Sequence, residues 1–133
     1  MKNQHTATLA GYEIPRLGMG TMALAIEGRP TNRNQAIETI HAALDAGVRY
    51  LDTAWSYYLP SKPGTGEPED MGYGEYLVRD ALNSWHGPKD EVLVATKTGW
   101  LRTLDNHGNY SWQADARPET MIANAKERSE EHV

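Results

Sequence analysis

The alternation of strand-like and helix-like segments constrains the fold of this chain more than any other feature of its sequence. Some segments are short runs of apolar and β-branched residues, whereas others repeat apolar residues every three or four positions. These periods predict strands at residues 16–20, 48–52 and 92–96, and helices at residues 32–46, at 73–83 and from Pro118 onward. Strands that alternate with helices form a parallel sheet with right-handed crossovers, so we predict an α/β fold. A doubly wound sheet and a (β/α)8 barrel both have this order of elements.

The helix at residues 32–46 has the clearest end signals. Asn32 is a suitable N-cap residue, and Gln35 stands three residues later in the capping-box position. Ile40 and Leu44 belong to an apolar stripe with helical spacing. Gly47 stands where a glycine commonly ends a helix.

The connecting segments have less regular patterns. Residues 6–14 predict a β-hairpin, with Ala10 and Gly11 as its two-residue turn. Residues 57–72 contain several prolines and glycines, and residues 98–117 are mostly polar. We therefore predict loops over both of these segments.

Two further expectations concern burial. The continuous apolar run at residues 92–96 is typical of a strand that is buried on both faces. In the third helix, Met121, Ile122 and Ala125 form the apolar side and are expected to face inward, and the stretch at residues 127–132 is almost wholly polar.

Composition disfavours several classes of function. The 133 residues include 13 Lys and Arg against 18 Asp and Glu, for a net charge of -5. Such an acidic chain lacks the basic surface that binds nucleic acids. It contains no cysteine, which excludes disulfides and thiolate metal sites and suits the cytoplasm. Its sequence has no apolar run of about 18 residues and no signal-peptide core, so we expect no membrane association.

Chemically useful side chains stand where two predicted strands end. Asp52 closes the second strand, and Lys97 follows the third. Tyr57 and Tyr58 come shortly after Asp52. Because parallel strands end at one rim, these groups are expected to meet there, and an ammonium beside a phenol lowers the phenol pKa from about 10. Such a phenol can donate a proton near neutral pH, although strand-end polar groups also occur simply where a chain leaves the core.

The motifs around these residues resemble those of the aldo-keto reductase family. Residues 47–57 match the family pattern G-[VF]-x-x-[FIL]-D-T-A-x-x-Y without a gap. Four further segments resemble family motifs and follow in the family's order. Residues 17–22 resemble the first barrel strand, and Gly74 and Glu75 resemble the start of the second helix. Residues 94–97 resemble the strand that ends in the catalytic lysine, and residues 117–129 resemble the third helix. The hairpin at 6–14 resembles the two strands that close the bottom of the family's barrel.

The resemblance implies roles for particular residues. Asp52, Tyr57 and Lys97 would be catalytic, with Tyr57 as the general acid. Gly20, Thr21 and Met22, together with Asp52, would bind the nicotinamide cofactor. The implied cofactor is NADPH, with NADH as the alternative, and no metal is expected.

The tyrosine assignment has alternatives. In the family a glycine usually follows the catalytic tyrosine, but here Tyr58 follows Tyr57, and Tyr73-Gly74 supplies a second Tyr-Gly pair. Tyr58 or Tyr73 could therefore occupy the position of the acid. The unbroken D-T-A-x-x-Y spacing favours Tyr57.

The implied activity is the reduction of an aldehyde or ketone, a small-molecule carbonyl substrate, to an alcohol. The alternatives are a non-catalytic, cofactor-binding regulatory subunit of the same fold, or an inactive fragment. A (β/α)8 barrel needs about 250 residues. Residues 1–133 are therefore expected to form the N-terminal portion of a single barrel domain, a partial (β/α)8 TIM barrel made of the hairpin and three β/α units.

Such a portion is expected to be inactive alone, since the family's fourth catalytic residue, a histidine, belongs to strand four. Its open sheet edges predict self-association. In particular, Ile37, Ile40, Val92 and Val94 are expected to be poorly covered.

Two features allow more than one interpretation. Trp55, Trp100 and Trp112 are suited either to line a substrate pocket or to cover strand edges. The acidic run within residues 67–70 is interpreted as solvated surface rather than as a cation site.

Overall fold

A computed structural model describes residues 5–26, 32–58, 71–104, 106–108 and 110–131. The strands are β1 (Thr6–Leu9), β2 (Tyr12–Pro15), β3 (Met19–Gly20), β4 (Tyr50–Asp52), β5 (Leu93–Ala95), β6 (Trp100–Leu104) and β7 (Tyr110–Ala114). The helices are α1 (Met22–Ala25), α2 (Arg33–Asp45), α3 (Tyr73–Ser84) and α4 (Pro118–Glu131), with a 3₁₀ turn at Lys89–Glu91.

The predicted parallel sheet is confirmed. Its strands lie in the order β3-β4-β5, and both pairings are parallel. Asp52 pairs with Gly20 on one side and with Ala95 on the other, so the three strands end at one rim. This register places the segments that follow the strands beside one another.

The N-terminal hairpin is also confirmed. Strands β1 and β2 pair antiparallel, with Leu9 opposite Tyr12. Ala10 and Gly11 have φ angles of 50° and 85°, the positive values that a tight two-residue hairpin turn requires.

Helix α2 begins and ends at the residues that the sequence indicates. The Asn32 side chain accepts a hydrogen bond from the Asn34 N–H at 2.9 Å. Gly47 has a φ of 101° just beyond the helix, which glycine adopts without a Cβ penalty.

Helices α2 and α3 pack against the sheet and against each other. The largest apolar side chains that are fully buried come from both helices and from β4, and they are Ile40, Leu44, Leu51, Leu77 and Val78. The expectation that Ile40 and Val92 would be poorly covered is wrong, since they are 0% and 7% exposed. Ile37 and Val94 are partly buried against the same core. Helix α3 covers this apolar surface together with α2, so the three-stranded sheet has a core of its own.

Some local predictions are wrong. Strand β5 is only half-buried, because β4 is the only neighbour it has within the three-stranded sheet of the described residues. The predicted loop at 98–117 contains an antiparallel hairpin formed by β6 and β7. The short helix α1 was not expected. Most of the predicted loop at 57–72 lies outside the described residues.

The inward face of α4 also differs from the prediction. Ile122 is 56% exposed and Ala125 is exposed, whereas Met121 is half-buried. Among the described side chains of α4, the buried one is Arg128, inside the almost wholly polar stretch. A polar side chain is buried in this helix because charged and aromatic partners from other elements meet it, as described below.

Candidate active site

The rim of the sheet brings Asp52, Tyr57 and Lys97 together. Asp52 is the last residue of β4, and Lys97 lies two residues beyond β5. The Lys97 Nζ donates to the Asp52 carboxylate, to the Thr53 carbonyl oxygen at 2.8 Å and to the Tyr57 hydroxyl oxygen at 3.4 Å. The same ammonium lies 5.3 Å from the centroid of the Tyr57 ring. We define these three residues as the rim set.

Main-chain hydrogen bonds fix the position of Tyr57. Its N–H donates to the Ala54 carbonyl at 3.1 Å, and its carbonyl accepts from the Gly74 N–H at 3.0 Å. A Cβ at Gly74 would lie 2.8 Å from the Tyr57 Cβ and 2.8 Å from the Thr53 hydroxyl. Gly74 therefore allows the first turn of α3 to approach the tyrosine closely.

The electrostatics of the rim set favour a charged lysine. Partial burial lowers the pKa of Lys97, but the hydrogen bonds and charges of Asp52 and Tyr57 outweigh it and raise the pKa above 10.5. Lys97 is thus an ammonium at neutral pH. A fixed cation at this distance stabilises negative charge that develops on the tyrosine oxygen. The Lys97 side chain is 51% exposed and that of Asp52 is 32% exposed, so the rim set is open to a ligand.

The other two candidate tyrosines have different surroundings. The Tyr58 ring lies against Trp112, with centroids 5.6 Å apart. Tyr73 packs against the hydrophobic core, as the Tyr57 ring also does. The hydroxyl that contacts Lys97 is that of Tyr57.

The residues expected to bind a nicotinamide lie beside the rim set. Thr21 is buried, and its N–H and hydroxyl both donate to the Asp52 carbonyl, at 2.9 and 3.0 Å. Gly20 is exposed, and a Cβ there would meet no atom within 4 Å. Met22 is 51% exposed. An open groove of about 510 Å³ runs past Gly20 and Asp52, and its walls also include Leu9 and Ile14 of the N-terminal hairpin.

Trp100 is half-exposed on the hairpin that follows the rim. Its ring meets that of Trp112 edge to face, with centroids 6.5 Å apart. Trp112 also contacts Tyr58. These aromatic rings pack on one another while keeping exposed surface near the rim, so packing and a pocket wall are both compatible with the geometry.

Sequence reasoning missed a second charged group, which lies behind the rim. Glu75 and Arg128 are 0% and 2% exposed, and the Arg128 Nε lies 3.5 Å from the Glu75 Oε2. Glu75 belongs to the Gly74-Glu75 pair that resembles the start of the family's second helix, and this resemblance could have drawn attention to it. Arg128 also lies within the family resemblance at residues 117–129, but its polar surroundings at the end of α4 indicate no burial.

The part of the chain that the structure describes has neither a metal-binding cluster nor a membrane-spanning helix. No cluster of three or more His, Asp or Glu side chains there could hold a metal ion. No helix among the same residues is long and apolar enough to span a membrane.

Comparison with known proteins identifies relatives of the chain. Residues 16–131 match the Aldo/keto reductase family. Aldo-keto reductase YhdN of Bacillus subtilis is 37% identical over 103 residues, which cover 74% of this chain and 27% of that protein. The 6-dehydroglucose reductase of Novosphingobium aromaticivorans is 33% identical over 95 residues, 71% of this chain and 29% of that protein.

Solved structures show the same architecture. The glycerol dehydrogenase of Gluconobacter oxydans superposes with a TM-score of 0.69 at 25% identity, over 93% of this chain and 34% of that chain. The predicted partial (β/α)8 barrel is thereby confirmed. The chain spans between a quarter and a third of the length of these relatives.

Proposed function

The chain belongs to the aldo/keto reductase family, and on that premise we propose that it supplies the proton-donating part of an enzyme that reduces an aldehyde or ketone. The observation that supports the proposal is the shared contact of the Lys97 ammonium with Asp52 and Tyr57. The match covers 27% of the length of Aldo-keto reductase YhdN. The proposal therefore concerns a whole protein in which residues 1–133 form the N-terminal portion of a single barrel domain.

The proposed proton donor is Tyr57. Its hydroxyl gives a proton to the carbonyl oxygen of the substrate as that oxygen gains negative charge. Lys97 stabilises the phenolate that remains, and the Asp52 carboxylate holds the lysine in position. General acid catalysis of this kind contributes about 10²–10⁴-fold to a rate.

The proposed cofactor is NADPH, with NADH as the alternative, and when bound it supplies the hydride for the carbonyl carbon. Gly20, Thr21 and Met22 would lie against the nicotinamide, and Asp52 would accept a hydrogen bond from its ribose. Thr21 contributes by fixing the Asp52 main chain. Because the sequence has no cysteine, a cytoplasmic location is part of the proposal.

The proposal is tested in a chimera in which residues 16–131 replace the matching segment of Bacillus subtilis YhdN. The assay follows NADPH oxidation with a simple aldehyde. We expect turnover by the chimera and no measurable turnover by the 133-residue chain alone. Tyr57→Phe should lower turnover about 10²–10⁴-fold and leave cofactor affinity nearly unchanged.

Two tyrosines serve as matched controls. Tyr58→Phe and Tyr73→Phe remove the same hydroxyl from neighbouring positions, and both should keep most of the turnover. A Tyr57→Phe chimera with near-normal turnover would overturn the assignment of the acid. A folded chimera that binds NADPH but reduces no aldehyde would instead support the cofactor-binding, non-catalytic alternative.

A further inference from the structure

A buried ion pair lies directly behind the rim set. We call Glu75 of α3 and Arg128 of α4 the inner pair. Their side chains are 0% and 3% exposed, respectively. Removing two charges from water is costly, and well-packed apolar side chains often fill such a space with equal or greater stability. A fully buried pair next to functional groups therefore suggests a role beyond stability.

Glu75 is linked to both Lys97 and Tyr57 of the rim set. Its Oε1 accepts a hydrogen bond from the Thr96 hydroxyl, and Thr96 immediately precedes Lys97. Gly74, which immediately precedes Glu75, donates its N–H to the Tyr57 carbonyl at 3.0 Å. A shift of the first turn of α3 would therefore move both the lysine and the tyrosine.

Arg128 acts on the same region through Trp55. Its guanidinium carbon lies 3.5 Å from the centroid of the indole. Gly72 packs so closely on this indole that a Cβ there would lie 2.3 Å from the ring. The Trp55 N–H donates to the Lys97 carbonyl at 3.2 Å, and Trp55 stands two residues before Tyr57. Arg128 thus fixes the segment that joins Asp52 to Tyr57.

We propose that Glu75 and Arg128 are positioning residues that set the separation between the Lys97 ammonium and the Tyr57 hydroxyl. They act through Thr96, Gly74 and Trp55, and their own burial keeps them from touching a substrate. The consequence for catalysis rests on the proposed function. The consequence for the geometry of the rim set does not.

The charge balance of the inner pair agrees with this role. Burial raises the pKa of Glu75, and it outweighs the Thr96 hydrogen bond and the Arg128 charge, which both lower it. The charge of Glu127 raises the pKa of Glu75 further. The Arg128 guanidinium also lies 2.6 Å from the carboxylate of Glu127, which is partly exposed, although its buried nitrogens make no hydrogen bond of good geometry among the described residues. Burying these charges has a cost in stability that an apolar pair of similar volume would avoid.

The test measures Lys97 directly in the full 133-residue chain. With ¹³C-labelled lysine, NMR gives the titration midpoint of Lys97, assigned by its loss in Lys97→Arg. Thr96→Val removes the hydroxyl that donates to Glu75 and changes no charge. We expect it to lower the Lys97 midpoint toward the ordinary value of 10.5, because the contacts with Asp52 and Tyr57 loosen. Ile40→Val, a core change in α2, serves as the control and should leave the midpoint unchanged.

A second variant tests the inner pair itself, since removing only one of its two charges would leave the other buried without a partner. The double variant Glu75→Gln, Arg128→Met removes both charges and leaves the net charge as it was. We expect it to fold and to lower the Lys97 midpoint as Thr96→Val does. A folded double variant whose Lys97 midpoint equals that of the wild type would overturn the proposal and assign the inner pair to packing alone.

Kinetics in the chimera give an independent readout. The double variant should lower kcat about 10²-fold, the loss that a displacement of roughly 1 Å can cause, and leave the KM for NADPH unchanged. A proportional rise in KM with constant kcat would contradict positioning. If the unmodified chimera has no turnover, the proposed function fails, but the Lys97 titration still decides the role of the inner pair.

Discussion

The rim set and the inner pair are built from the same chemical groups and differ in exposure. Each has a carboxylate and a cationic side chain that lies against an aromatic ring, which is Tyr57 within the rim set and the neighbouring Trp55 at the inner pair. At the rim, the Lys97 side chain is 51% exposed and lies beside the Tyr57 ring. In the inner pair, the Arg128 side chain is 3% exposed and lies on the Trp55 ring. In the proposed roles, access to solvent rather than residue type separates the groups that would meet a substrate from the groups that would hold them in place.

The difference in exposure follows from the elements that carry the residues. The rim set stands where β4 and β5 end, and the chain leaves the core there. The inner pair stands on two helices that pack behind those strand ends. In parallel α/β folds, chemistry belongs to the strand ends, while the helices supply the supporting layer.

The largest expected effect on stability comes from unpairing the inner pair. Arg128→Met leaves the Glu75 carboxylate buried without its cation, and we expect the free energy of unfolding to fall by about 3–5 kcal/mol. Urea denaturation of the 133-residue chain measures it. The double variant with Glu75→Gln should recover most of this loss. The matched control is Arg79→Met, whose side chain is 41% exposed, with a loss of about 1 kcal/mol or less. If both arginine variants lost the same free energy of unfolding, burial would not make the inner pair more important for stability than an exposed ion pair.

A smaller effect is expected at the glycine that packs on Trp55. Gly72 has a φ of 82°, and a Cβ there would collide with the indole. Gly72→Ala should cost about 1–3 kcal/mol through overpacking, in addition to backbone strain. Gly11→Ala is the control, because Gly11 has a φ of 85° with nothing within 4 Å. Thermal unfolding of the two variants compares them, and a Gly72 variant no less stable than the Gly11 variant would show that the indole moves freely.

The buried carboxyl of Glu75 and the more exposed carboxyl of Asp80 should contribute to stability with opposite pH dependence. The native pKa of Glu75 is raised above 4.5, so its contribution to the free energy of unfolding is complete below 4.5 and is lost as the pH rises through the native value. Desolvation raises the pKa of Asp80, but the hydrogen bonds of Arg79 and Arg33 outweigh it and lower the pKa below 3.8. The Asp80 contribution is therefore present above 3.8 and is lost as the pH falls through the native value.

Denaturation curves across this range test both signs. The stability of the wild type relative to Glu75→Gln should decrease as the pH rises above 4.5. The stability of the wild type relative to Asp80→Asn should decrease as the pH falls below 3.8. The same sign for both variants would mean that burial does not dominate the titration of Glu75.

Sequence patterns predicted the parts of the fold that depend on local signals. Asn32 and Gly47 gave the ends of α2, and the turn at Ala10 and Gly11 gave the first hairpin. The strand ends gave the positions of Asp52 and Lys97, because parallel strands finish at one rim. Their catalytic roles stay predictions.

The sequence could not predict features that depend on distant partners. Arg128 is buried because Glu75 and Trp55 meet it from other elements. The family resemblance covers residues 117–129, but the local sequence names no partner for Arg128. The second hairpin, β6 and β7, was hidden because the polar residues between Trp100 and Trp112 are typical of a loop. Helical spacing alone placed Ile122 inward, but its side chain is 56% exposed, since α4 turns a different face to the sheet.

The most direct test of the account measures turnover and stability together in Lys97→Met. This change removes the ammonium of the rim set from a solvent-exposed ion pair. We expect the chimera to lose most of its turnover, while its free energy of unfolding changes by about 1 kcal/mol or less. A Lys97→Met chimera that keeps its turnover, or that loses stability as severely as Arg128→Met, would contradict the division between an open rim set and a closed inner pair.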